Sequence, residues 1–253
     1  MIKKIKILIV TTFLTAFGGI TYANYNDGLK AFAAKDFATA YKEFKPLAEQ
    51  GQSIPQAILG WMYEHGEGVL KDDKQAVKWS RKAADQGYAL AQHHLGSMYN
   101  NREGVLKDYK QAVKWFRKAA DQGYALAQYD LGLMYDYGRG VLKDDKQAAK
   151  WYRKAADQGN ANAQVNLGTM YDYGRGVLKD DKQAVKWYRK AADQGNADAQ
   201  FNLGSMYVIG EGVLKDLSKA KYWTKKAYEN PDASDDTLKR SEKAWNQAEL
   251  WKY

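Results

Sequence analysis

The sequence predicts an all-α protein built from repeated pairs of helices, and three observations support this prediction. A fifteen-residue segment, MYDYGRGVLKDDKQA, occurs twice, starting at Met134 and again at Met170. The chain of 253 residues contains only three prolines, which helix interiors tolerate poorly. Apolar and small residues recur at helical spacing inside each copy, so every predicted helix has a face that must be buried.

The repeat extends well beyond these two segments and keeps a constant offset of 36 residues. A fixed period of this size indicates a stack of equal units, each of which buries its apolar face only against its neighbours. The residues that mark the period are Trp79, Trp115, Trp151, Trp187 and Trp223 on one predicted helix, and Gly51, Gly87, Gly123, Gly159 and Gly195 where that helix ends.

One unit, residues 160–195, shows how the first helix of each pair, helix A, is delimited. Asn160 can accept a hydrogen bond from the first turn and so cap the helix. Gly174 and Gly176 end it, because glycine readily takes the positive φ of a helix stop. We expect Val177 and Leu178 to anchor the loop that follows.

The second helix, helix B, starts with a capping-box pattern formed by Asp180 and Gln183. Its predicted buried stripe contains Ala184, Trp187 and Tyr188, and Gly195 terminates it. Small residues, including Gly132 and Gly168, should lie where neighbouring helices approach closely. In unit 2, Arg102 replaces the first loop glycine, so the conformation of that loop is an open question.

These patterns divide the chain into four parts. Residues 1–23 form a predicted signal peptide, 24–51 a shorter helix pair, 52–231 five repeats, and 232–253 a C-terminal capping helix. On that last helix, Leu238, Trp245 and Ala248 should face inward.

The predicted signal peptide has a basic start, an apolar stretch from Ile7 to Ile20 and a small-residue cleavage site at Ala23. A transmembrane anchor is the alternative, although the apolar stretch is shorter than the ~20 residues that a span needs. We therefore expect a periplasmic or secreted protein. The sequence has no cysteine, so neither disulfides nor a lipoprotein anchor are expected.

The repeated pattern resembles the Sel1-like repeat, a relative of the tetratricopeptide repeat. The residues that carry the resemblance in one unit are Ala161, Gln164, Leu167, Gly168, Tyr171, Gly174, Gly176, Val177, Asp180, Ala184, Trp187, Lys190, Ala191 and Ala192. The resemblance implies a right-handed α/α superhelical solenoid of helix-turn-helix repeats. It also implies a concave inner surface lined by helix A, and a role as adaptor or scaffold.

Comparison of the repeats with one another separates constant positions from changing ones. On helix A the constant positions centre on one direction and the changing positions lie nearly opposite, which predicts a variable and exposed face. Aromatic residues among polar ones are typical of protein-binding surfaces, although drift at unconstrained positions is the alternative. The predicted partner-binding residues are Trp61, His65, His94, Tyr129, Asp130, Leu133, Tyr137, Asn166, Asp172, Tyr173, Phe201 and Asn202.

Helix B instead repeats the same cations, for example Lys150, Arg153 and Lys154, within a chain of net charge +9. We interpret this ridge as a solvated face, partly neutralised by pairs such as Arg81 with Asp85. The alternative is attraction to anionic polymers or lipid head groups. Nucleic acid binding is not expected, since no motif for it is present.

No catalytic constellation is evident, so we expect no enzyme, metal or cofactor. His93 and His94 are adjacent and point in different directions on a helix, whereas a metal pair needs one face. Ser218 and Lys221 match the S-x-x-K pattern of serine β-lactamases, but the accompanying motifs are missing and Ser218 is placed to cap a helix.

The function predicted from the sequence is that of an exported adaptor, monomeric, which binds an envelope or effector protein in the concave groove. Two alternatives come from the resemblance. Some exported Sel1-like proteins are immunity proteins that neutralise lipase-type effectors, and some cysteine-rich members are described as binding or slowly hydrolysing β-lactams.

Overall fold

The computed structural model describes residues 19–252, and within this range it consists of thirteen α-helices and a short 3-10 turn, with no strand. The helices are α1 (Gly19–Ala33), α2 (Phe37–Glu49), α3 (Ser53–His65), α4 (Asp73–Asp85), α5 (Ala89–Asn101), α6 (Tyr109–Asp121), α7 (Ala125–Tyr137), α8 (Asp145–Asp157), α9 (Ala161–Tyr173), α10 (Asp181–Asp193), α11 (Ala197–Ile209), α12 (Leu217–Tyr228) and α13 (Asp235–Gln247), and the turn is Leu250–Lys252.

The helices have the predicted all-α arrangement of repeated pairs, and consecutive helices pack together within each compact unit. Helix A packs on helix B inside a repeat, as α9 does on α10, and helix B packs on helix A of the following repeat, as α8 does on α9. The described residues form two compact units, which divide between Lys118 and Ala119, within α6. We describe each unit by itself.

The predicted helix limits are confirmed at the atomic level. Asn160 Oδ1 accepts a hydrogen bond from the backbone N–H of Ala163 at 2.9 Å, and Asp180 Oδ1 accepts one from Gln183 at 3.0 Å. Gly174 ends α9 with φ of 67°. Arg102 takes the same left-handed conformation, with φ of 70°, so the loop of the second repeat keeps its shape at the cost of strain that glycine avoids.

Close approach of helices is the reason for the glycine in the middle of helix A. A Cβ atom on Gly168 would lie 2.7 Å from the ring of Tyr188, and one on Gly132 would lie 2.6 Å from the ring of Tyr152. Any larger residue would therefore force the tyrosine ring or the helix that carries it to move. Trp187 and the adjacent small residues of helix B are buried, as the sequence predicts.

A buried glutamine ties three successive helices together in each repeat. Gln164 Nε2 donates to the carbonyl oxygen of Ala156 in the preceding helix B at 3.0 Å. Gln194, which follows the next helix B, donates in turn to Gln164 Oε1 at 2.7 Å. The same relay to the preceding helix is built by Gln56, Gln92, Gln128 and Gln200. A satisfied buried network of this kind favours one particular stacking of the helices.

The loop after α9 and the C-terminal end of the chain differ in how their apolar residues are buried. Val177 packs against the core, but Leu178 is exposed, so the prediction that both anchor the loop is wrong for Leu178. At the C-terminal end, Trp245 of α13 and Ala248 just after that helix pack on the last core cluster, and Leu250 is fully buried there.

The predicted signal peptide lies largely outside the described residues, since only 19–23 are included, as the first turn of α1. Among the described helices, none combines the length and the apolar content that crossing a bilayer requires.

Candidate functional site

The variable face of helix A is the candidate site, and we call it the helix-A face. Its twelve predicted residues belong to α3, α5, α7, α9 and α11. Trp61, His65 and His94 lie in the first compact unit, and the other nine lie in the second.

In the first unit, the Trp61 ring packs instead of standing free. It makes an edge contact with the ring of Phe32 and a tilted contact with the ring of Phe37, with centroids 5.1 Å and 5.8 Å away. The His65 ring stacks on it at 4.5 Å. The prediction that Trp61 is exposed is therefore wrong, because Phe32 and Phe37 of the N-terminal helix pair pack against its ring.

His94 belongs to a chain of polar groups that the sequence did not reveal. Its Nε2 lies 2.8 Å from Glu64 Oε2, and its Nδ1 lies 3.1 Å from the hydroxyl of Ser80. Burial raises the pKa of Glu64, but the hydrogen bond and charge of His94 outweigh burial and leave that pKa below its usual value. The order serine, histidine, carboxylate matches a hydrolase triad. Ser80 is fully buried beneath Gly60, however, so its hydroxyl has no access to a substrate.

In the second unit, Tyr129, Leu133 and Asn166 form the floor of the helix-A face. Asn166 lowers the pKa of both Tyr129 and the buried Tyr152 by side-chain hydrogen bonding, against the larger effect of burial. Desolvation, with a smaller contribution from Asp130, raises the pKa of Tyr129 to about 12. Tyr129 and Leu133 are half-buried against the core cluster, so the expected full exposure of Tyr129 is wrong.

Above this floor stands an exposed rim formed by the last residue of each helix A. Tyr137, Tyr173 and Ile209 are exposed by 62%, 71% and 62%. They occupy the same position in successive repeats. The guanidinium of Arg139 lies 5.0 Å from the ring centroid of Tyr137, within range of a cation–π contact. The predicted exposure of both tyrosines is confirmed.

The end of the face near α11 is covered by α13. The guanidinium of Arg240 lies 4.3 Å from the ring centroid of Phe201 and donates to Asn202 Oδ1 at 3.2 Å. Phe201 is thus half-buried, contrary to the expected exposure. The C-terminal helix therefore limits the length of the face that a partner can reach.

A charged triad connects repeats at one edge of the face. Arg175, in the loop after α9, donates to Asp136 at the end of α7 and to Asp145 at the start of α8, the latter at 3.1 Å. The buried Tyr152 hydroxyl donates to the other oxygen of Asp136 at 3.2 Å. These hydrogen bonds to charged groups join two consecutive repeats.

The positions one repeat later hold acids only. Carboxylate oxygens of Asp172, Asp181 and Glu211 lie within 4.8 Å of one another. Desolvation and then the charges of Asp181 and Glu211 raise the pKa of Asp172. Lys179 partly compensates the cluster, with its Nζ 3.4 Å from Asp181. Carboxylate oxygens are suitable ligands for hard cations. At this cluster, the ammonium group of Lys179 already supplies part of the compensating positive charge.

The cations of helix B contact aromatic rings of the scaffold. Lys154 lies over Trp151 at 4.2 Å, and Arg153 donates to the hydroxyl of Tyr171 in the following repeat. In the first unit, Arg81 donates to Tyr99, and the described residues show no ion pair of Arg81 with Asp85, so that predicted pair is wrong. These contacts give two of the repeated cations a role in packing.

Ser218 lies at the second position of α12 and is exposed. The helix cap is Asp216, whose Oδ1 accepts the backbone N–H of Lys219 at 2.9 Å, so the prediction that Ser218 is the cap is wrong.

The stacked helix pairs and the capped glycine loops define an α-solenoid repeat protein. The family model of the Sel1 repeat matches five times, at residues 56–88, 89–124, 125–160, 161–196 and 197–232. The chain belongs to the Sel1 repeat family.

Solved structures agree with this assignment. A Sel1 repeat protein from Oxalobacter formigenes is 34% identical, with a TM-score of 0.83 and 90% of both chains covered. The protein c5321, described as a protective antigen present in uropathogenic Escherichia coli strains, is 34% identical with a TM-score of 0.81, over 91% of this chain and 54% of that one. A search of curated proteins finds no match.

Proposed function

We propose that this Sel1 repeat protein is an adaptor that binds another protein through the helix-A face of its second unit. The observation that carries the proposal is the rim of Tyr137, Tyr173 and Ile209, three large side chains exposed at one position of successive repeats. Tyrosine is enriched among the residues that dominate binding energy, because it buries a large amphipathic ring at a low cost in entropy.

The surroundings of the rim also favour a protein partner. Asn166, Asp172 and Asn202 offer polar groups beside apolar rings, which is the usual mixture of a protein interface. Buried relays such as Gln164 hold the helices in one arrangement. A partner would therefore bind a preorganised surface and would not have to order it.

Export to the periplasm or the exterior belongs to the same proposal. It is supported by the basic and apolar pattern of residues 1–23 and by the likeness to a protein described as a protective antigen. Mass spectrometry of the protein recovered from the periplasm should find a chain that begins near Asn24. An intact Met1 in the membrane fraction would favour an anchor instead.

Site-specific photocrosslinking tests the face itself. A benzophenone amino acid is placed at Tyr137, at Tyr173 or, as a control, at Tyr222, which is exposed on α12. We expect one discrete crosslinked protein from the first two positions and none from the third. Tyr137→Ala and Tyr173→Ala should then each weaken binding of that protein by roughly 1–3 kcal/mol, measured by calorimetry. Crosslinks from Tyr222 alone would place the interface elsewhere.

A further inference from the structure

Each repeat carries an exposed leucine in the loop between helix A and helix B. In the second unit these are Leu142, Leu178 and Leu214, each exposed by 90%, and in the first unit Leu70 and Leu106 are exposed by 91% and 79%. All five follow a valine and precede a lysine, in the segment Val-Leu-Lys. We call the three leucines of the second unit, with their lysines, the leucine–lysine column.

The fold does not require leucine at this position. The loop after α9 is held by Gly174 with its positive φ, by Val177 in the core, and by the hydrogen bond from Asp180 N–H to the carbonyl oxygen of Tyr171 at 3.0 Å. The side chain of Leu178 takes part in none of these contacts.

The constancy of the leucine contrasts with the variability at the exposed end of helix A. The last residue of helix A is also exposed, and it changes from His65 and Asn101 to Tyr137, Tyr173 and Ile209 along the chain. Single exposed leucines are ordinary on protein surfaces, but one at the same loop position of every repeat forms a regular apolar series. This regularity points to a ligand that covers the series.

The charges beside the leucines indicate what that ligand is. Lys143, Lys179 and Lys215 directly follow the leucines and are exposed. The aspartates that come next are engaged within the protein, since Asp144 and Asp180 cap helices, and their charge is favourable at a helix N-terminus. The column therefore presents apolar side chains beside cations, of which Lys179 is also paired with Asp181 at 3.4 Å.

We propose that the leucine–lysine column docks on a lipid bilayer with anionic head groups. The leucines would enter the boundary of the acyl chains and the lysines would contact phosphates, as in peripheral membrane proteins. A second copy of the chain fits less well, because a two-fold contact of the column would place lysines against lysines. This contact would leave the helix-A face, the proposed protein-binding surface, to a separate partner.

The absence of cysteine makes the contact directly measurable. Leu178→Cys in the full chain is labelled with an environment-sensitive fluorophore and mixed with vesicles of phosphatidylcholine, with or without phosphatidylglycerol. We expect a blue shift and a severalfold rise in emission on the anionic vesicles. The same label at Lys243→Cys, an exposed position of α13, should show no change in emission. A label at a single site is needed because the apolar segment Ile7 to Ile20 can by itself bind the chain to vesicles, which a measurement of total binding would not distinguish from docking of the column.

Matched variants of the labelled protein separate the two chemistries. Leu142→Ser with Leu214→Ser should reduce the emission change severalfold on anionic vesicles. Lys143→Gln with Lys215→Gln should reduce it on these vesicles and lessen its dependence on salt. The control, Tyr222→Ser with Tyr228→Ser, removes two other exposed apolar side chains and should keep the full signal.

Three results would overturn the proposal: no response at position 178, an equal response at position 243, or a response that rises with protein concentration without vesicles. The last would assign the column to self-association.

Discussion

Two junctions between consecutive repeats differ at one of three matched charged positions and have opposite electrostatic character. At the junction of repeats 3 and 4, Arg175 lies between Asp136 and Asp145 and bonds both. At the junction of repeats 4 and 5, the same three positions hold Asp172, Asp181 and Glu211, which are all acidic. The first junction is joined by charge, whereas the second carries a repulsion.

The second junction keeps its geometry in spite of that repulsion. The Tyr188 hydroxyl lies 3.4 Å from Asp172, as the Tyr152 hydroxyl lies 3.2 Å from Asp136. The glycine loops and the glutamine relay are the same at both junctions, so the frame is determined independently of these charges. The comparison shows that the repeat scaffold is stable enough to let this position vary.

The largest effect is expected from Arg175→Glu, which gives the first junction the charges of the second. Two charge-assisted hydrogen bonds are lost and a third acid is added, so the free energy of unfolding should fall by roughly 2–3 kcal/mol. Urea unfolding followed by circular dichroism measures it. Lys186→Glu makes the same change of charge on the exposed helix B, and an equal loss there would show that net charge alone is responsible.

The reverse change, Glu211→Arg, should stabilise the second junction. A guanidinium at this position can bond Asp172 and Asp181 as Arg175 bonds its two partners, which we expect to add about 1–2 kcal/mol to the free energy of unfolding. Glu211→Gln removes the repulsion without adding a cation, and its stability should fall between the two. If Glu211→Arg is no more stable than Glu211→Gln, the guanidinium does not reach the aspartates.

The difference between wild type and Glu211→Arg should depend on pH. Desolvation and the nearby acids raise the pKa of Asp172 in the folded protein above its ordinary value of 3.8. The folded state therefore binds a proton at higher pH than the unfolded state does. Ionised Asp172 therefore lowers the free energy of unfolding. This destabilisation is present in full above the raised pKa and disappears as the pH falls through that pKa toward 3.8. The stability gap should be widest at neutral pH and narrow in acid, as measured by urea midpoints across a pH series. A constant gap would mean that Asp172 does not titrate in this way.

The smallest effect is expected from the tyrosines that follow the compared aspartates. Tyr137→Ala and Tyr173→Ala each remove an exposed ring, so each should change the free energy of unfolding by less than about 1 kcal/mol. Thermal unfolding of the two variants side by side tests this. A much larger loss for one of them would show that the junctions differ in packing as well as in charge.

Much of the fold could be predicted from local signals. The caps Asn160 and Asp180 and the helix stop at Gly174 depend on residues close together in sequence, and all three are confirmed. The exposure of half-buried residues could not be predicted in the same way. Phe201 is covered by Arg240 of α13, a residue 39 positions further along the chain.

The same limit applies to the candidate site. The sequence identified the variable positions, among them Tyr137 and Tyr173, because repeats can be compared within one chain. It did not show that Leu178 is exposed, since an apolar residue next to a glycine loop usually anchors that loop. Nor did it reveal that Ser80, His94 and Glu64 lie together, because helices of consecutive repeats supply them.

The sequence by itself therefore determined the period, the helix limits and the family, since these depend on spacing, caps and backbone preferences that act within a few residues. Only the tertiary structure decided which variable side chains remain exposed, and which charges meet at each junction. Those outcomes depend on stacking, which brings residues about one repeat apart into contact, as with Arg175 and Asp136. A single substitution at such a contact reverses the electrostatic character of a junction and leaves the helices in place.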